Sequence, residues 1–464
     1  MQLAIVQPLA DARLLAWACR DEVAFLAAAL RQKGHTLSML MAGPREEEAV
    51  ASAMSEPRPE VVLMYVEALA ADVAARAAGA IASVLGAPVI PFGPHARLCP
   101  GACLSMGGAE AVAVGPADFT IPAYLEARGG SLDSSRAAGM WVKLETGVMR
   151  NPPPRPPASL DDQPPPARDI YPPEVLLDPA GFASAAFARW GEADICAVDA
   201  AGVTTAPWAE PWPVRHLPVD TILAEMAEYA RVQMDLGGWR LGNSRWLALP
   251  SHAEEFADKY RKQFRLPLRT VVHAPDVTDA TAAALATARC EEAVVPVGSA
   301  SNFIRNEVLR MGVDAESIVS AFRALIKAGV PVTARVDIGA PYETSVTLDE
   351  TAALLSRLQA DRVQAVLHYP APGSQSERLG RENGWLAPDP ATAMLAGRPA
   401  VLPPGLAAED IADAAELMPY QVLRPRLAPL LRMARRLSLG KRGTVYDVLV
   451  KPLLAPPARR RKQP

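Results

Sequence analysis

The sequence predicts an α/β protein: a doubly wound, Rossmann-like parallel sheet, then a partial β/α barrel, then a helical C-terminal extension. Three observations carry this. Short apolar strands alternate with helical stretches of roughly ten to fifteen residues through the first 150 positions, which is how a parallel sheet with crossover helices reads. A proline-dense stretch, NPPPRPPASLDDQPPPARDIYPP, then interrupts the pattern. A second strand–helix series follows, with a Gly or Pro at the carboxyl end of each strand, as a β/α barrel would place its turns.

In the first series LAIVQP (3–8) is a strand, and DEVAFLAAALRQKG (21–34) is a helix with a continuous apolar face, stopped by Gly34. HTLSMLMA and PEVVLMYVEA read as the second and third strands, an Ala-rich helix follows, and APVIPFG and AEAVAVG supply two more strands. The proline-rich stretch can be neither helix nor central strand, so residues 151–180 read as a stiff, extended linker between a domain at 1–150 and one at 181–375. In the second domain VDTILAEMAEYARVQ (219–233) and AESIVSAFRALIKAG (315–329) are amphipathic helices, and RTVVHA, EAVVPVG, PVTARVDIG and RVQAVLHYP are strands. Residues 376–464 read as helical and loop-rich, with a basic tail.

Bulk properties narrow the class. Half of the 464 residues are apolar and 21% are charged, which fits globular domains and excludes wholesale disorder. From Arg424 onward twelve Lys/Arg stand against Asp447 alone, a local net of +11 that leaves −15 for the rest of the chain. A basic end on an acidic body is either a solvated tail or a contact for an anionic surface. Within it Leu427, Leu430, Leu431, Ala434 and Leu437 recur at helical spacing, with Arg432, Arg435 and Arg436 between them. That stripe docks on the body or lies on an anionic membrane. The five cysteines are scattered at 19, 99, 103, 196 and 290, and the start MQLAIVQP is a strand without a charged, then apolar, leader. No apolar run is expected to reach the ~20 residues of a membrane span. A cytoplasmic protein with reduced thiols is expected, with peripheral membrane attachment as the variant, and nothing calls for a nucleic-acid partner.

Ligands of open parallel sheets bind at the strands' carboxyl ends. In the first domain those ends are Pro8, Tyr65, Gly93, Pro94, His95 and Gly115. His95 serves either the loop or a ligand. Cys99 and Cys103 form a C-x3-C pair with no third thiol near it, and read as incidental thiols. On the barrel, Glu343 in the APYET turn is a structural hydrogen-bonding residue or a substrate contact, and His368 and Tyr369 end the last strand.

Read in order, several segments resemble one family, the cobalamin-binding radical S-adenosylmethionine (SAM) proteins. PFGPHARLCP looks like the family's GGPHAT loop, and AEAVAVGPADFTIPAYLE like the segment after it. LDDQPPPARDIYP is similar to the L-D-x-L-P-x-P-A-R-D bridge. The run from SASNF to APYET resembles one ending in G-x-P-G-E-T, and HYPAPGS resembles Y-P-x-P-G-T. The resemblance covers about residues 1–375. It implies cobalamin at the first domain's strand ends, without a protein histidine as lower ligand, and SAM at the barrel face near Gly298, Ser299 and Glu343.

It also implies a [4Fe–4S] cluster on a C-x3-C-x2-C loop after the linker. The sequence there is ARWGEADICAVDAAG, which sets Glu192, Cys196 and Asp199 at the three cysteine positions. Carboxylates are hard ligands where a low-potential cluster needs soft thiolates. Gly298 stands where the resemblance places a SAM-contacting Glu, and LGGWRLGNSRW lacks an acidic pair. The expectation is a degenerate radical-SAM-like protein without its SAM-reducing cluster, acting as a cofactor-binding accessory or regulatory protein beside an active homologue. The alternative is a cobalamin- or SAM-dependent enzyme, for methyl transfer or a related step, with unusual cluster ligands or non-radical chemistry.

Overall fold

The structure is a computed structural model, and it describes residues 1–11, 19–54, 56–130, 132–152, 154, 164–177, 182–185, 188–189, 215–232, 235–241 and 246–437. These fall into two compact units. The first takes the described residues before 190, those of 215–241, and Ala371–Ser374; the second takes 246–370 and 375–437.

The first unit is built on four parallel strands, β1 (Gln2–Pro8), β2 (Thr36–Ala42), β3 (Val61–Tyr65) and β4 (Val89–Phe92), in the order β2-β1-β3-β4. Both faces are covered, and the alternation of side chains along each strand shows it. Leu3 and Ile5 of β1 join a core with Leu26 and Leu30 of α1 (Asp21–Gln32), whereas Ala4 and Val6 join a separate core on the opposite face. That second core holds Val50 of α2 (Glu47–Ala53) and Ala77 and Ile81 of α3 (Ala71–Leu85). A strand buried on both sides must be apolar throughout, as VVLMY is. The short helices α4 (Pro94–Leu98) and α5 (Pro100–Leu104) then lead to β5 (Ala111–Ala113), and just before it Ala109 makes a parallel bridge to Val89 of β4.

Three expectations are refined in this unit. Beyond α6 (Ala117–Gly129), β5 pairs antiparallel with β6 (Met140–Leu144), and β6 with β7 (Gly147–Arg150), a hairpin the sequence pattern did not suggest. The end of the proline-rich stretch is part of the core: Tyr171 and Val175 are 2% and 1% exposed, and Ala167 N–H donates to Ala24 O (2.9 Å). The 18 residues Ala68–Leu85 are long and apolar enough to cross a membrane by length and composition, contrary to the expectation. Their Ala74, Ala77, Ala78 and Ile81 face nevertheless packs on the sheet. The unit is completed by the parallel pair β8 (Phe182–Ala185) and β11 (Gly238–Leu241), the antiparallel pair β9 (Ala188–Arg189) and β10 (Arg215–His216), and α7 (Val219–Val232).

In the second unit β12 (Leu268–Val271), β13 (Cys290–Gly298), β14 (Val332–Ile338) and β15 (Arg362–Leu367) are the four expected strands, parallel and adjacent in that order. The connections carry α9 (Asp279–Thr287), α10 (Ala315–Lys327) and α11 (Ser345–Leu358), after α8 (Pro250–Gln263). Capping boxes at Thr278 and Thr344 fix the starts of α9 and α11. Beyond β15 come α12 (Gln375–Glu382), α13 (Pro390–Leu395), α14 (Ala408–Leu423), which packs on β15, and α15 (Ala428–Leu437).

Candidate functional site

The carboxyl edge of the first sheet gathers the residues expected there. Pro8, Tyr65, Gly93, Pro94, His95 and Gly115 are all buried. Gly93 has φ +100°, and a Cβ on it would lie 2.8 Å from the Tyr65 ring and 3.2 Å from Val66 O, so glycine is required for Tyr65 to lie against the loop. Tyr65 in turn meets Phe92 edge-on at 5.4 Å. Burial holds the His95 imidazole down at about 4, so it is neutral near pH 7, and its Nδ1 has no hydrogen-bond partner. Gly373 of the YPAPGS segment lies in the same unit, where a Cβ would meet Leu98 O at 2.8 Å and Cys99 Sγ at 3.1 Å. Two segments that carry the sequence resemblance therefore touch.

An ionic lattice ties this edge together, and the sequence analysis did not single it out. Arg97 donates twice to Glu22 (2.5 and 3.1 Å), and Arg20 donates to Glu67 (2.5 Å). Arg168, from the PARD tetrapeptide, donates to Asp21 (2.6 Å) and pairs with Glu225. Tyr171 OH donates to Gln7 Oε1 (2.7 Å) and accepts from Arg20 N–H (3.1 Å). Arg97 and Arg168 are themselves buried, so removing the carboxylates they pair with strands a buried charge at a cost of several kcal/mol. The lattice is what holds the resemblance's bridge segment on the sheet edge.

In the second unit Gly298 ends β13, Ser299 follows it, and Glu343 follows β14. Gly298 has φ +65°, and a Cβ there would collide with Met311 Sδ and come within 3.2 Å of Leu309 Cδ1. The position that the resemblance assigns to a SAM-contacting Glu is filled by Met311. Ser299 is fully buried; its Oγ accepts from Ser301 N–H (3.2 Å) and its carbonyl accepts from Arg305 (2.8 Å). Glu343 Oε2 accepts from Gly339 N–H, while Oε1 has no partner. Burial pushes the Glu343 carboxyl up to about 8, with the nearby Asp337 charge adding to the rise against the Gly339 hydrogen bond.

The face of β12–β15 that carries Arg269, Glu292, Thr333, Arg335 and Gln364 is polar, because paired residues of parallel strands share a side. Its amino-terminal half is internally satisfied: Glu292 accepts from Thr333 (2.7 Å) and Arg362 (3.3 Å). Its carboxyl half is not. Asp337 Oδ1 and His368 Nδ1 lie 3.7 Å apart, and Asp337 Oδ2, His368 Nε2 and Arg335 Nε have no hydrogen-bond partner. The signal for this face was present in the period-two run T-A-R-V-D-I, which alternates polar and apolar residues.

Glu192, Cys196 and Asp199 lie outside the described residues. Among those described, no group of three His, Cys, Asp or Glu is placed to hold a metal. Burial raises the thiols of Cys19 to about 11 and Cys290 to about 12, and that of Cys103 further. These three are protonated thiols near neutral pH, unsuited to ready thiolate ligation. On α15 the expected apolar stripe divides. Leu431 and Ala428 are buried, whereas Leu427, Leu430 and Met433 are 42%, 57% and 56% exposed. Ala434 and Leu437 have side chains outside the description.

No protein-family model matches the chain, and no curated protein matches it. Solved structures do. TsrM from Kitasatospora setae, a radical S-adenosylmethionine methyltransferase seen with tryptophan substrate and the SAM analogue aza-SAM, superposes with TM-score 0.63 at 15% identity, over 82% of this chain and 76% of its own. OxsB, a cobalamin-dependent S-adenosylmethionine radical enzyme seen with aqua-cobalamin, gives TM-score 0.63 at 12% identity, over 82% of this chain and 56% of its own. Its apo form gives TM-score 0.64 at 12% identity, over 96% and 69%. At these identities the likeness is one of fold, and the expected order of a doubly wound sheet and a partial barrel agrees with it. This chain carries the fold of the cobalamin-dependent radical SAM enzymes.

Proposed function

We propose that this protein is a cofactor-binding accessory or regulatory member of the cobalamin-dependent radical SAM fold, without the cluster that reduces SAM. The observation that carries the reading is the cysteine set. Five thiols at 19, 99, 103, 196 and 290 contain no C-x3-C-x2-C anywhere in the chain. Two carboxylates and one thiolate at Glu192, Cys196 and Asp199 are a donor set mismatched to a low-potential cluster, so no radical step is derived. The filling of the Gly298 position by Met311 supports the same reading from the SAM face.

Cobalamin is the ligand that best suits the first sheet's edge. Gly93, Pro94 and His95 would hold it, together with Pro8, Tyr65 and Gly115. The glycine turn that brings backbone to that edge and the orphan His95 Nδ1 fit a polar ligand there. Cobalamin would supply a cobalt centre able to carry a methyl group, and the chain's part is to bind and orient it. Ser299 and Glu343 suit SAM less well, because both already serve internal hydrogen bonds. A second reading, an enzyme of polar chemistry such as methyl transfer on the same scaffold, is favoured by the unpartnered Asp337 and His368.

Anaerobic reconstitution with iron, sulfide and hydroxocobalamin separates these readings. The expected result is a cobalamin spectrum, iron far below four per chain, and no deoxyadenosine from SAM. Iron near four per chain with SAM cleaved would overturn the proposal. Methyl transfer without cleavage would select the second reading. A partner, for which an active homologue is proposed, would appear as co-purification of a cluster-bearing chain.

A further inference from the structure

The helical layer of the second unit holds a groove that neither the cobalamin nor the SAM reading uses. It lies between the start of α9 and the flank of α10, has a volume of about 540 Å³, and is lined by none of Gly298, Ser299 and Glu343. That size is ordinary for a small-molecule site, which takes roughly 300–1,000 Å³. Its place follows from the sequence of α10. Ile318, Ala321, Phe322 and Leu325 are the buried stripe of that helix, and Ser317, Ser320, Arg323 and Lys327 are thereby carried round to the groove. The floor is apolar: Ala274, Val277 and Ala324 are 3%, 5% and 6% exposed.

The lining carries two cations and one carboxylate. Lys327 Nζ meets Asp279 Oδ2 at 2.5 Å and cancels its charge. Arg323 has no such counterpart: it is exposed and makes no hydrogen bond or ion pair among the described residues. The groove is thus electropositive, although the chain before Arg424 sums to −15. The Ser320 hydroxyl is likewise unengaged among the described residues. The other hydroxyls are in use, since Ser317 donates to Asp314 (3.0 Å) and Thr278 closes the capping box of α9 with Thr281. The unspent donors are therefore the Ser320 hydroxyl, the Arg323 fork and the remaining protons of Lys327. They follow one another three and four residues apart along α10, where Cβ atoms stand about 5–6 Å from each other.

We propose that this groove binds a small organic phosphate monoester, its phosphate on Ser320, Arg323 and Lys327 and its organic group over Ala274, Val277 and Ala324. Three donors suit a group with three acceptor oxygens and a charge of roughly −1.5 to −2. A carboxylate, with two oxygens and a single charge, uses fewer of them. A cation would meet Arg323, and inorganic phosphate would leave the apolar floor to water. The site is independent of cluster and cobalamin, so its failure leaves the proposed function untouched.

The test is calorimetric titration of the full-length protein, at low salt, with ribose 5-phosphate and adenosine 5′-monophosphate. Ribose, adenosine, inorganic phosphate and glucuronate, a carboxylate of similar size, are titrated beside them. At least one ester should bind, and more tightly than its phosphate-free parent, inorganic phosphate or glucuronate. Arg323→Gln should weaken that ester at least ~10-fold, the low end expected for a lost charged hydrogen bond. Ser320→Glu should abolish its binding by setting a carboxylate beside Arg323. Both positions are exposed on a helix, so both variants should melt with the parent chain. Failure of both esters to bind overturns the proposal, as does ester binding that Arg323→Gln leaves unchanged. Inorganic phosphate or glucuronate binding as tightly as the esters overturns it too.

Discussion

Two left-handed residues on the second unit's strand ends show what the backbone is being asked to do. Gly298 at φ +65° leaves no room for a side chain, because Met311 already fills it. Gly298→Ala should therefore cost about 1–3 kcal/mol, by backbone strain and overpacking together, read as a lower urea midpoint. Gly298→Glu should cost more and restore no SAM contact, with Met311→Ala relieving part of the loss. Tyr342 at φ +66° stands at the second glycine of the G-x-P-G-E-T pattern, where a side chain costs about 1–2 kcal/mol. Its ring meets Phe303 at 5.4 Å and Trp385 at 4.8 Å, and such contacts return about 0.5–1.5 kcal/mol each. Tyr342→Gly should thus change stability by no more than about 2 kcal/mol, the relief of strain offsetting most of the two lost ring contacts. Glu343 gives a pH signature. Its folded carboxyl titrates at about 8 against an ordinary 4.5, so the native chain holds a proton that the unfolded chain has released. That contribution is complete below pH 4.5 and is lost as pH rises through 8. Glu343→Gln should match the parent chain near pH 4.5 and exceed its denaturation midpoint at pH 8.

At the scale of elements, the strands and long helices were legible because their apolar spacing is long and regular. LAIVQP, VVLMY, PVTARVDIG and RVQAVLH each fell on an observed strand, and AESIVSAFRALIK on an observed helix. The hairpin of β6 and β7 was not legible: MWVKL is half exposed, GVMR wholly so, and a two-residue turn of Glu145-Thr146 carries no hairpin signal. The site was legible only in part. Strand ends pick out Gly93, His95 and Glu343 by position, but the Arg168 and Arg97 lattices join residues distant in sequence, Arg97 with Glu22 and Arg168 with Asp21 and Glu225. No local pattern encodes them. The same holds for Gly373, called onto the barrel yet lying against Leu98 and Cys99. Its φ of +84° and those two close neighbours predict that Gly373→Ala lowers the thermal midpoint by several degrees and increases proteolysis within residues 91–104, while Gly384→Ala, with φ +70° but nothing within 4 Å, costs less. Equal losses for the two would mean that strain alone, and not the contact with Leu98, sets the cost.

For the whole molecule, the thiols are scattered while the charge is segregated. Cys103 and Cys290 are buried in different units, and neither is a poised ligand. The charge asymmetry, +11 from Arg424 onward against −15 elsewhere, gathers on one end of the chain. Helix α15 lies in that segment, and the exposed Leu427 just before it forms an apolar row with its Leu430 and Met433, while Leu431 anchors it to the body. The two readings of the stripe thus each take part of it: docking uses Leu431 and Ala428, and the outer row stays available. An outer row with Arg424, Arg426 and Arg432 beside it suits an anionic bilayer, where each basic residue near the surface contributes about 1 kcal/mol. Full-length protein should co-sediment with anionic vesicles more than with neutral ones, and less at 0.5 M salt than at 0.1 M, because exposed charges are screened over about 10 Å or less. Leu427→Ser with Leu430→Ser should abolish this and leave folding intact, since both side chains are exposed. A chain ending at Leu423 should lose it too, while Leu431→Ser should lower stability as well as binding. If the serine pair sediments as fully as the parent chain, the row does not enter the bilayer and attraction by the basic residues alone accounts for the contact; if neither vesicle type brings the parent chain down, the membrane role falls.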